Sequence, residues 1–591
     1  MAQSNAALAE AFPSGDRSSN TDTDYVLRRY VEGRLLGLRV NRYSWWTHWR
    51  ELADYFLPRR YKWIVTPNQM ARGSPINQHI LDSTGVIAAR NLASGLVSGK
   101  SSPTRPWFKL KIGRLDSTQT SPVSLWLAEC ERLLYLIFAE SNFYNSIATY
   151  YYDLVIFGTA VILIYEDFEN VVNCANPCAG EYYVDIDGRF RPTTFYREFT
   201  MTISAVVSEF GLENCSDSIQ KQFKSGDGAS LTREIIVAHA IEPNNDGKAR
   251  QFGFSESFAF RECYWEWGGS ASPQGGSASP TGFLRRKGYY EQCAIPCRWD
   301  LVSNDAYGRS AGMDGLPDQK QLQLESRRKA QAIDKMVNPP LVADVQLKNQ
   351  PASLLPGGIT YVSGYAASGK PGFSSVYDTK FPVGEITEDL NEVRERLKKT
   401  FFNDVLNTAS QYETRSNVTA VEWDMRKSES LVMLGPALER IDNEALKPIL
   451  DRVFNIASRA GILPPAPPEL QGKALNIEFV SILQQAQQAS SAAGIERLFH
   501  IMGNVAAIDP AALDNVDIDY GLDKYSFLMN NDPKLIRSPG ALAQIRKTRQ
   551  QAQEQAQRAE QAQQMAAAGK TLSETQVGGG RNALQAMTGV A

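Results

Sequence analysis

Two pairs of cysteines share one spacing and are the residues of this chain best suited by type to hold a metal ion. Cys174 and Cys178 form one pair, and Cys293 and Cys297 form the other. Four thiolates bind Zn²⁺ tetrahedrally, but three intervening residues are not the usual spacing of a zinc knuckle. Cys293, Ile295 and Cys297 also alternate as residues on one buried face of a strand do. We therefore expect core cysteines without a metal, and a structural zinc site remains the alternative.

A glycine-rich stretch, "YGRSAGMDGLPDQK" at residues 307–320, has the composition of a phosphate-binding loop. A Walker loop requires glycine, four further residues and then Gly-Lys-Ser or Gly-Lys-Thr. No glycine of this stretch is followed by such a pair, and Lys320 falls inside a predicted helix. We therefore predict a turn that sets the entry angle of a helix over 316–337, with its proline in the first helical turn. The residues of the predicted turn are Tyr307, Gly308, Gly312 and Pro317.

The four histidines lie far apart in the sequence, and none belongs to an HExxH motif. No set of His, Cys and Asp residues with the spacing of a catalytic arrangement can be assembled from the sequence. We therefore predict that the protein is not an enzyme and uses no cofactor.

The charge balance limits how the chain binds nucleic acid. Its 591 residues include 62 Lys and Arg against 65 Asp and Glu, which gives a net charge of −3. Tight binding of a phosphate backbone requires clustered basic residues. The charge balance therefore argues against a broad nucleic-acid clamp and leaves loose contact with DNA open.

The composition also indicates where the protein is made. Seven cysteines are an odd number and too few for a disulfide framework in so long a chain. We therefore expect synthesis in a reducing cytoplasm. The sequence does not begin with a basic and apolar leader. Its best apolar run, residues 154–165, is shorter than a membrane helix requires, so we expect no membrane contact.

The apolar patterning predicts an α+β fold that is mainly helical. The predicted helices cover residues 25–57, 76–99, 123–157, 316–337, 386–411 and 419–459. The predicted strands cover residues 159–167, 181–187 and 475–480, and residues 338–385 have the composition of short strands and turns. The clearest apolar stripe consists of Ile386, Leu390, Val393, Leu397, Phe401 and Val405.

A series of motifs in a fixed order carries a family likeness. They are "WWTHWRELADYFLPR", "LDSTGVIAARNLASGLVSG", "RPWFKL", "DLVIFGTAVILIYED", "YGRSAGMDGLPDQKQL", "NPPLV", "TAVEWDMRKSE", "LGPALERIDNEALKPILDRVF" and "GILPPAPPEL". By their number and order, the chain resembles the head-to-tail connectors, or portal proteins, of short-tailed, podovirus-type bacteriophages. The likeness extends from about residue 25 to residue 550.

The resemblance implies a portal-type fold with a wing, paired stem helices, a small strand-rich clip and a helical crown. The small, polar composition of residues 1–20 predicts a disordered N-terminus. The parts that the resemblance implies are the wing (21–314 and 421–482), stem helices (315–337 and 386–411), the clip (338–385), a tunnel loop (412–420), the crown (483–540) and a Gln/Ala-rich barrel helix or flexible tail (541–591). In this fold, the glycine-rich turn leads the chain from the wing into the stem.

The resemblance also implies a function. Portal proteins form a dodecameric ring at one capsid vertex, which conducts double-stranded DNA during packaging and ejection. The implied partners are further copies of the chain, the major capsid and scaffolding proteins, the large subunit of the terminase motor and, later, tail adaptor proteins. The implied location is the portal vertex of the virion, after synthesis in the host cytoplasm.

The candidates for weak, non-specific contact with DNA in the tunnel are Lys398, Lys399, Arg415 and Asn417. Ordinary solvated charges or charges that bridge subunits remain the alternative for these lysines and arginine. Two alternatives to the whole assignment are a nucleotide-hydrolysing packaging enzyme and a zinc-stabilised nucleic-acid-binding protein. The missing Walker loop argues against the first.

Overall fold

The computed structural model describes most of the chain. The described residues are 21–58, 60, 80–112, 122–244, 247–249, 252–267, 282–337, 341–343, 373–375, 383–403, 434–468, 475–479, 494–504, 517–528 and 539–574.

Helices make up most of the regular structure, and some antiparallel sheets accompany them, as the patterning predicts. The helices are α1 (Thr21–Phe56), α2 (Thr84–Lys100), α3 (Pro122–Glu140), α4 (Phe143–Phe157), α5 (Ile203–Phe210), α6 (Asp217–Lys224), α7 (Gly228–Leu231), α8 (Ala311–Val337), α9 (Val383–Thr400), α10 (Lys447–Arg459), α11 (Ile518–Leu528) and α12 (Pro539–Glu574). Residues 434–440 and 494–504 are also helical, and Ile441–Leu446 forms a π-helical turn directly before α10.

The strands form antiparallel sheets. They are β1 (Phe108–Ile112), β2 (Thr159–Asp167), β3 (Val171–Ala175), β4 (Tyr182–Ile186), β5 (Pro192–Thr202), β6 (Glu234–Pro243), β7 (Phe260–Glu266), β8 (Arg285–Tyr289), β9 (Ala294–Arg298), β10 (Leu341–Ala343), β11 (Phe373–Ser375) and β12 (Leu475–Phe479). The sheet orders are β4-β5-β6-β7-β8, β3-β2-β9, β1-β12 and β10-β11.

The five-stranded sheet is buried on both faces. Alternate residues of a strand point to opposite faces, and two neighbours on β6 illustrate this. Ala238 packs in one apolar cluster with Leu35 of α1, whereas Val237 packs in another with Val206 of α5. The amphipathic helices α1 and α5 thus cover the two faces of the sheet.

The chain divides into two compact units. One comprises residues 1–108, 133–463 and 479–481, and the other comprises residues 109–132, 464–478 and 482–591. Helices α8 and α9 and the contact between Gly158 and Gly308 lie in the first unit. Among the described residues, no helix combines the length and apolar character that crossing a bilayer demands.

Two predicted helix starts are wrong. The helix predicted from residue 76 begins only at Thr84, because the described residues 80–83 are not helical. The helix predicted from residue 316 begins at Ala311. Its start is capped by Ser310, whose Oγ accepts a hydrogen bond of 3.0 Å from the backbone N–H of Met313. Gly312 and Pro317 therefore lie within a helix and not in a turn, and Pro317 lies beyond the first helical turn.

Candidate functional site

Helices α8 and α9 form an antiparallel pair. Gly315 of α8 lies against α9, and a methyl group in its place would come within 3.5 Å of Leu397 Cδ2 and 3.6 Å of Thr400 Cγ2. Further along α8, Asp318 forms an ion pair of 3.4 Å with Arg396. As residue numbers rise on α8, the facing numbers on α9 fall, so the second helix returns alongside the first.

The predicted apolar stripe of α9 is confirmed for its described central members. Leu390, Val393 and Leu397 are fully buried, and so is Phe401 just beyond the helix. This spacing places the side chains on one face of a helix. Phe401 meets the Phe56 ring edge-on at a centroid distance of 5.5 Å, so the apolar stripe holds α9 against α1.

Polar residues anchor the helix pair to the start of α2. The Gln323 side chain on α8 accepts hydrogen bonds from the backbone N–H groups of Leu81 and Asp82, at 2.6 and 2.9 Å. Its amide also donates to the Asp82 carbonyl at 2.8 Å. Arg394 on α9 contacts Asp82 Oδ2 through two nitrogens, at 3.0 and 2.7 Å. Asp82 therefore contacts both helices of the pair.

The same carboxylate also begins α2. Asp82 Oδ1 accepts hydrogen bonds from the backbone N–H of Thr84 at 2.9 Å and from its hydroxyl at 2.6 Å. Burial acts to raise the pKa of Asp82, but the hydrogen bonds from Thr84 and Arg394 outweigh it and lower that pKa below 3.8. The carboxylate is thus charged at neutral pH and pairs with Arg394.

A close backbone contact fixes the chain just before α8. A methyl group at Gly308 would lie 2.4 Å from the carbonyl oxygen of Gly158, and a methyl group at Gly158 would lie 2.2 Å from that of Gly308. Gly158 has a φ of 74°, which favours glycine independently of the contact. The N–H of Gly308 donates to Thr159 Oγ1 at 2.9 Å. This contact between Gly158 and Gly308, which we call the junction, therefore joins the stretches "VIFGT" and "YGRSAG".

Helix α8 begins against the end of α4, next to the junction. The hydroxyl of Ser310 donates to the carbonyl of Ile156 at 2.7 Å. A methyl group at Gly312 would come within 2.7 Å of that carbonyl oxygen. Gly312 thus lets the first turn of α8 approach the end of α4. Pro317 is exposed further along the helix.

Tyr307, the residue before Gly308, contacts two other elements of the fold. Its ring is 5.2 Å from Trp49 and 5.8 Å from Trp45, both on α1. Its hydroxyl accepts a hydrogen bond of 3.0 Å from the backbone N–H of Val184 on β4. Tyr307 therefore links the junction to α1 and to the five-stranded sheet.

A buried ion pair between Arg298 and Glu444 stabilises the chain next to the junction. Arg298, which is 2% exposed, contacts Glu444 through Nη2 at 2.6 Å and Nε at 3.2 Å. It also donates to the carbonyls of Asp305 and Phe190. Glu444 belongs to the π-helical turn, a rare geometry that often occurs at functional sites. The turn thereby fixes the end of β9, where Trp299 donates to the Gly158 carbonyl at 2.9 Å.

The predicted DNA-facing residues fall into two groups. Lys398 is partly exposed and pairs with Glu395 at 2.7 Å. Lys399 is exposed and forms no ion pair within the described ranges. Arg415 and Asn417, together with the predicted tunnel loop, lie outside the described residues.

Cys174 and Cys293, one from each pair, flank Ile164 of β2 on its two sides. Cys297 is opposite Ala160 in the sheet, whereas the Cys293 thiol donates to the Ile164 carbonyl at 3.1 Å. Cys174 is buried on β3, and Cys178 contacts Arg60. Within the described parts of the chain, no three His, Cys, Asp or Glu side chains are grouped to hold a metal ion.

Sequence reasoning missed the anchor formed by Asp82, Gln323 and Arg394. The available signal was the spacing of Gln319 and Gln323, which places these amides on one helix face with Leu316 and Leu322. Buried polar side chains require partners, so these amides pointed to polar contacts between helices.

The chain belongs to the family of bacteriophage head to tail connecting proteins, whose family model matches residues 28–536. It is 39% identical over 532 residues to the "Probable portal protein" of Bordetella phage BPP-1, covering 90% of this chain and 93% of that protein. It is 35% identical over 559 residues to the "Portal protein" of Salmonella phage epsilon15, covering 94% and 96%.

Proposed function

We propose that this head-to-tail connector acts as a dodecameric portal ring at one capsid vertex and conducts double-stranded DNA in both directions. Helices α8 and α9 are the stem of each subunit. The segment between them, which includes the paired strands β10 and β11, is the clip that meets the terminase motor during packaging and tail adaptors afterwards. Capsid and scaffolding proteins surround the ring.

The observation that carries this proposal is the anchored antiparallel pair. Two helices leave and rejoin one unit, and Asp82 and the Gly158–Gly308 contact hold their base. Between them, Val342 of β10 faces Ser374 of β11. Such a pair projects a small segment from a rigid body, which suits a docking device.

The charges of α9 suit a channel through which DNA slides. Near its end the helix carries the exposed Glu395 and Arg396 together with Lys399. A ring repeats each exposed charge about its axis, so a strongly basic bore would retain DNA. A face of mixed sign gives each phosphate only weak attraction, and Lys399 is the described residue best placed to supply it.

A packaging assay tests the proposal. Capsids assembled with the chain should take up DNA when a terminase motor and ATP are supplied, and capsids assembled without it should not. The isolated chain should hydrolyse no ATP. Uptake that does not depend on the chain would contradict the conduit, and ATP hydrolysis by the purified chain would favour the enzyme alternative.

A further inference from the structure

The outward face of α8 is basic. Leu324, at its centre, is 48% exposed, and the exposed residues Arg327, Arg328 and Lys335 lie around it. Within the described part of the chain, neither Arg327 nor Arg328 forms an ion pair. Asp334 is the single acidic residue exposed on this stretch after residue 324. The face therefore offers unpaired positive charge beside an exposed leucine.

The outward face of α9 is acidic. Glu385, Glu388, Glu392 and Glu395 follow one another at helical spacing, opposite the buried stripe. Glu392 and Glu395 pair with cations of their own helix, at 3.4 and 2.7 Å. Glu385 and Glu388 have no ion pair within the described ranges. Unpaired negative charge is therefore concentrated at the start of α9.

The unpaired charges of the two faces lie at one level along the helix pair. Asp318 faces Arg396, and both helices rise about 1.5 Å per residue. About nine residues further along α8 and nine residues back along α9, Arg327 comes level with residue 387. The two arginines therefore lie at the height of Glu385 and Glu388.

The acidic face of α9 lies opposite its buried stripe, and the basic face of α8 around Leu324 lies, by helical spacing, opposite Gly315, which packs on α9. The two faces are therefore separate surfaces of the pair. A closed ring uses a heterologous contact, in which one surface of a subunit meets a different surface of the next. Where the helices run along the ring axis, rotation keeps every residue at its height. The basic face of one subunit then meets the acidic face of its neighbour at the level of the unpaired charges.

We propose that Arg327 and Arg328 of one subunit form ion pairs with Glu385 and Glu388 of a second copy of this chain. This inference rests on the proposed ring and specifies how neighbouring stems recognise each other. Complementary charge fixes the register between partners and disfavours wrong ones. The contact would also order the subunits in one direction around the ring, because each face is complementary only to the other.

Charge reversal tests the pairing. Arg327→Glu with Arg328→Glu, or Glu385→Lys with Glu388→Lys, places like charges at every stem contact. We expect either double variant to lower the yield of rings at low salt by about tenfold or more. Combining all four changes in one chain should restore the rings. Mixing the two double variants should restore them as well, because reversed faces then meet in alternation.

The matched control is Lys221→Glu with Lys224→Glu on the exposed surface of α6, which changes the charge equally and should leave ring yield unchanged. Circular dichroism should show the same fold in all variants. If wild-type rings form and neither reversal lowers their yield, or if the four changes together fail to restore it, the pairing is wrong although the ring stands. If the wild-type chain forms no ring, the proposed function itself fails.

Discussion

Gly158 and Gly308 meet through their backbones although they lie far apart in the chain. The N–H of Gly308 donates to the hydroxyl oxygen of Thr159, which lies 149 residues earlier. A side chain on either glycine would overlap the carbonyl oxygen of the other, at 2.2 to 2.4 Å. The contact places the end of α4 against the start of α8. The orientation of α8 is therefore set by this joint, which has no room for a methyl group.

Replacement of Gly308 by valine should break this joint. Overpacking a close backbone contact costs about 3 kcal/mol or more, and α8 would have to move away from α4. We expect a lower unfolding midpoint and loss of rings, measured by thermal unfolding and electron microscopy.

The control for this variant is Gly188→Ala. Gly188 is exposed, and a methyl group there meets nothing within 4 Å, so stability should change by less than about 0.5 kcal/mol. Normal rings from the Gly308→Val variant would show that the close approach does not position α8.

Removal of the Asp82 charge should loosen the attachment of α8 and α9 to the start of α2. Asp82→Asn keeps the shape but loses the charged contact with Arg394, and hydrogen bonds to charged groups contribute about 1.5 to 3 kcal/mol. We expect a loss of this size in the free energy of unfolding, measured by chemical denaturation. The Arg394→Ala variant should lose a similar amount, and the two losses together should be less than additive.

The same carboxylate predicts a response to acid. Because folding lowers the pKa of Asp82 below 3.8, its contribution is complete above that value and is lost as the pH falls through the lowered pKa. The difference in stability between wild type and Asp82→Asn should therefore shrink below about pH 4. A difference that stays constant from neutral to acid pH would contradict this assignment.

The Arg298–Glu444 pair should behave as a buried ion pair. Arg298→Met leaves the Glu444 carboxylate without its cation, which costs about 3 to 5 kcal/mol. Adding Glu444→Leu should recover part of the loss. The exposed pair of Arg132 and Glu129 supplies the control, since Arg132→Ala should cost much less than Arg298→Met. Equal losses in the free energy of unfolding for Arg298→Met and Arg132→Ala would contradict a stabilising role of the buried pair.

The cysteines should be unreactive in the native protein. Burial raises the pKa of Cys293 to about 11 and that of Cys174 to about 12. At pH 8 thiol labelling of the native chain should therefore be about a hundredfold slower than labelling of the unfolded chain. Metal analysis is the companion measurement, because stoichiometric zinc in purified protein would support the zinc alternative.

Local patterns predicted much of the fold. The strand predicted at residues 159–167 matches β2, and the stripe of Leu390, Val393 and Leu397 is buried as predicted. Hydrophobic periodicity encodes such features locally. The start of α8 was missed because its glycines have the composition of a turn, although Ser310 is a good capping residue.

Local sequence patterns could not predict the contacts of the site. Gln323 and the Asp82 carbonyl are 241 residues apart in the chain, and Arg298 and Glu444 are 146 apart. Pairing over such distances depends on the packing of several elements and leaves no periodic trace in the sequence. The tunnel residues Arg415 and Asn417 stay predictions, since they lie outside the described residues.

Native mass spectrometry of the purified chain, with electron microscopy of the same sample, tests the central claim most directly. The account predicts a closed dodecamer with an open central channel. A chain that stays monomeric at high concentration, or that forms assemblies without a central hole, would contradict it.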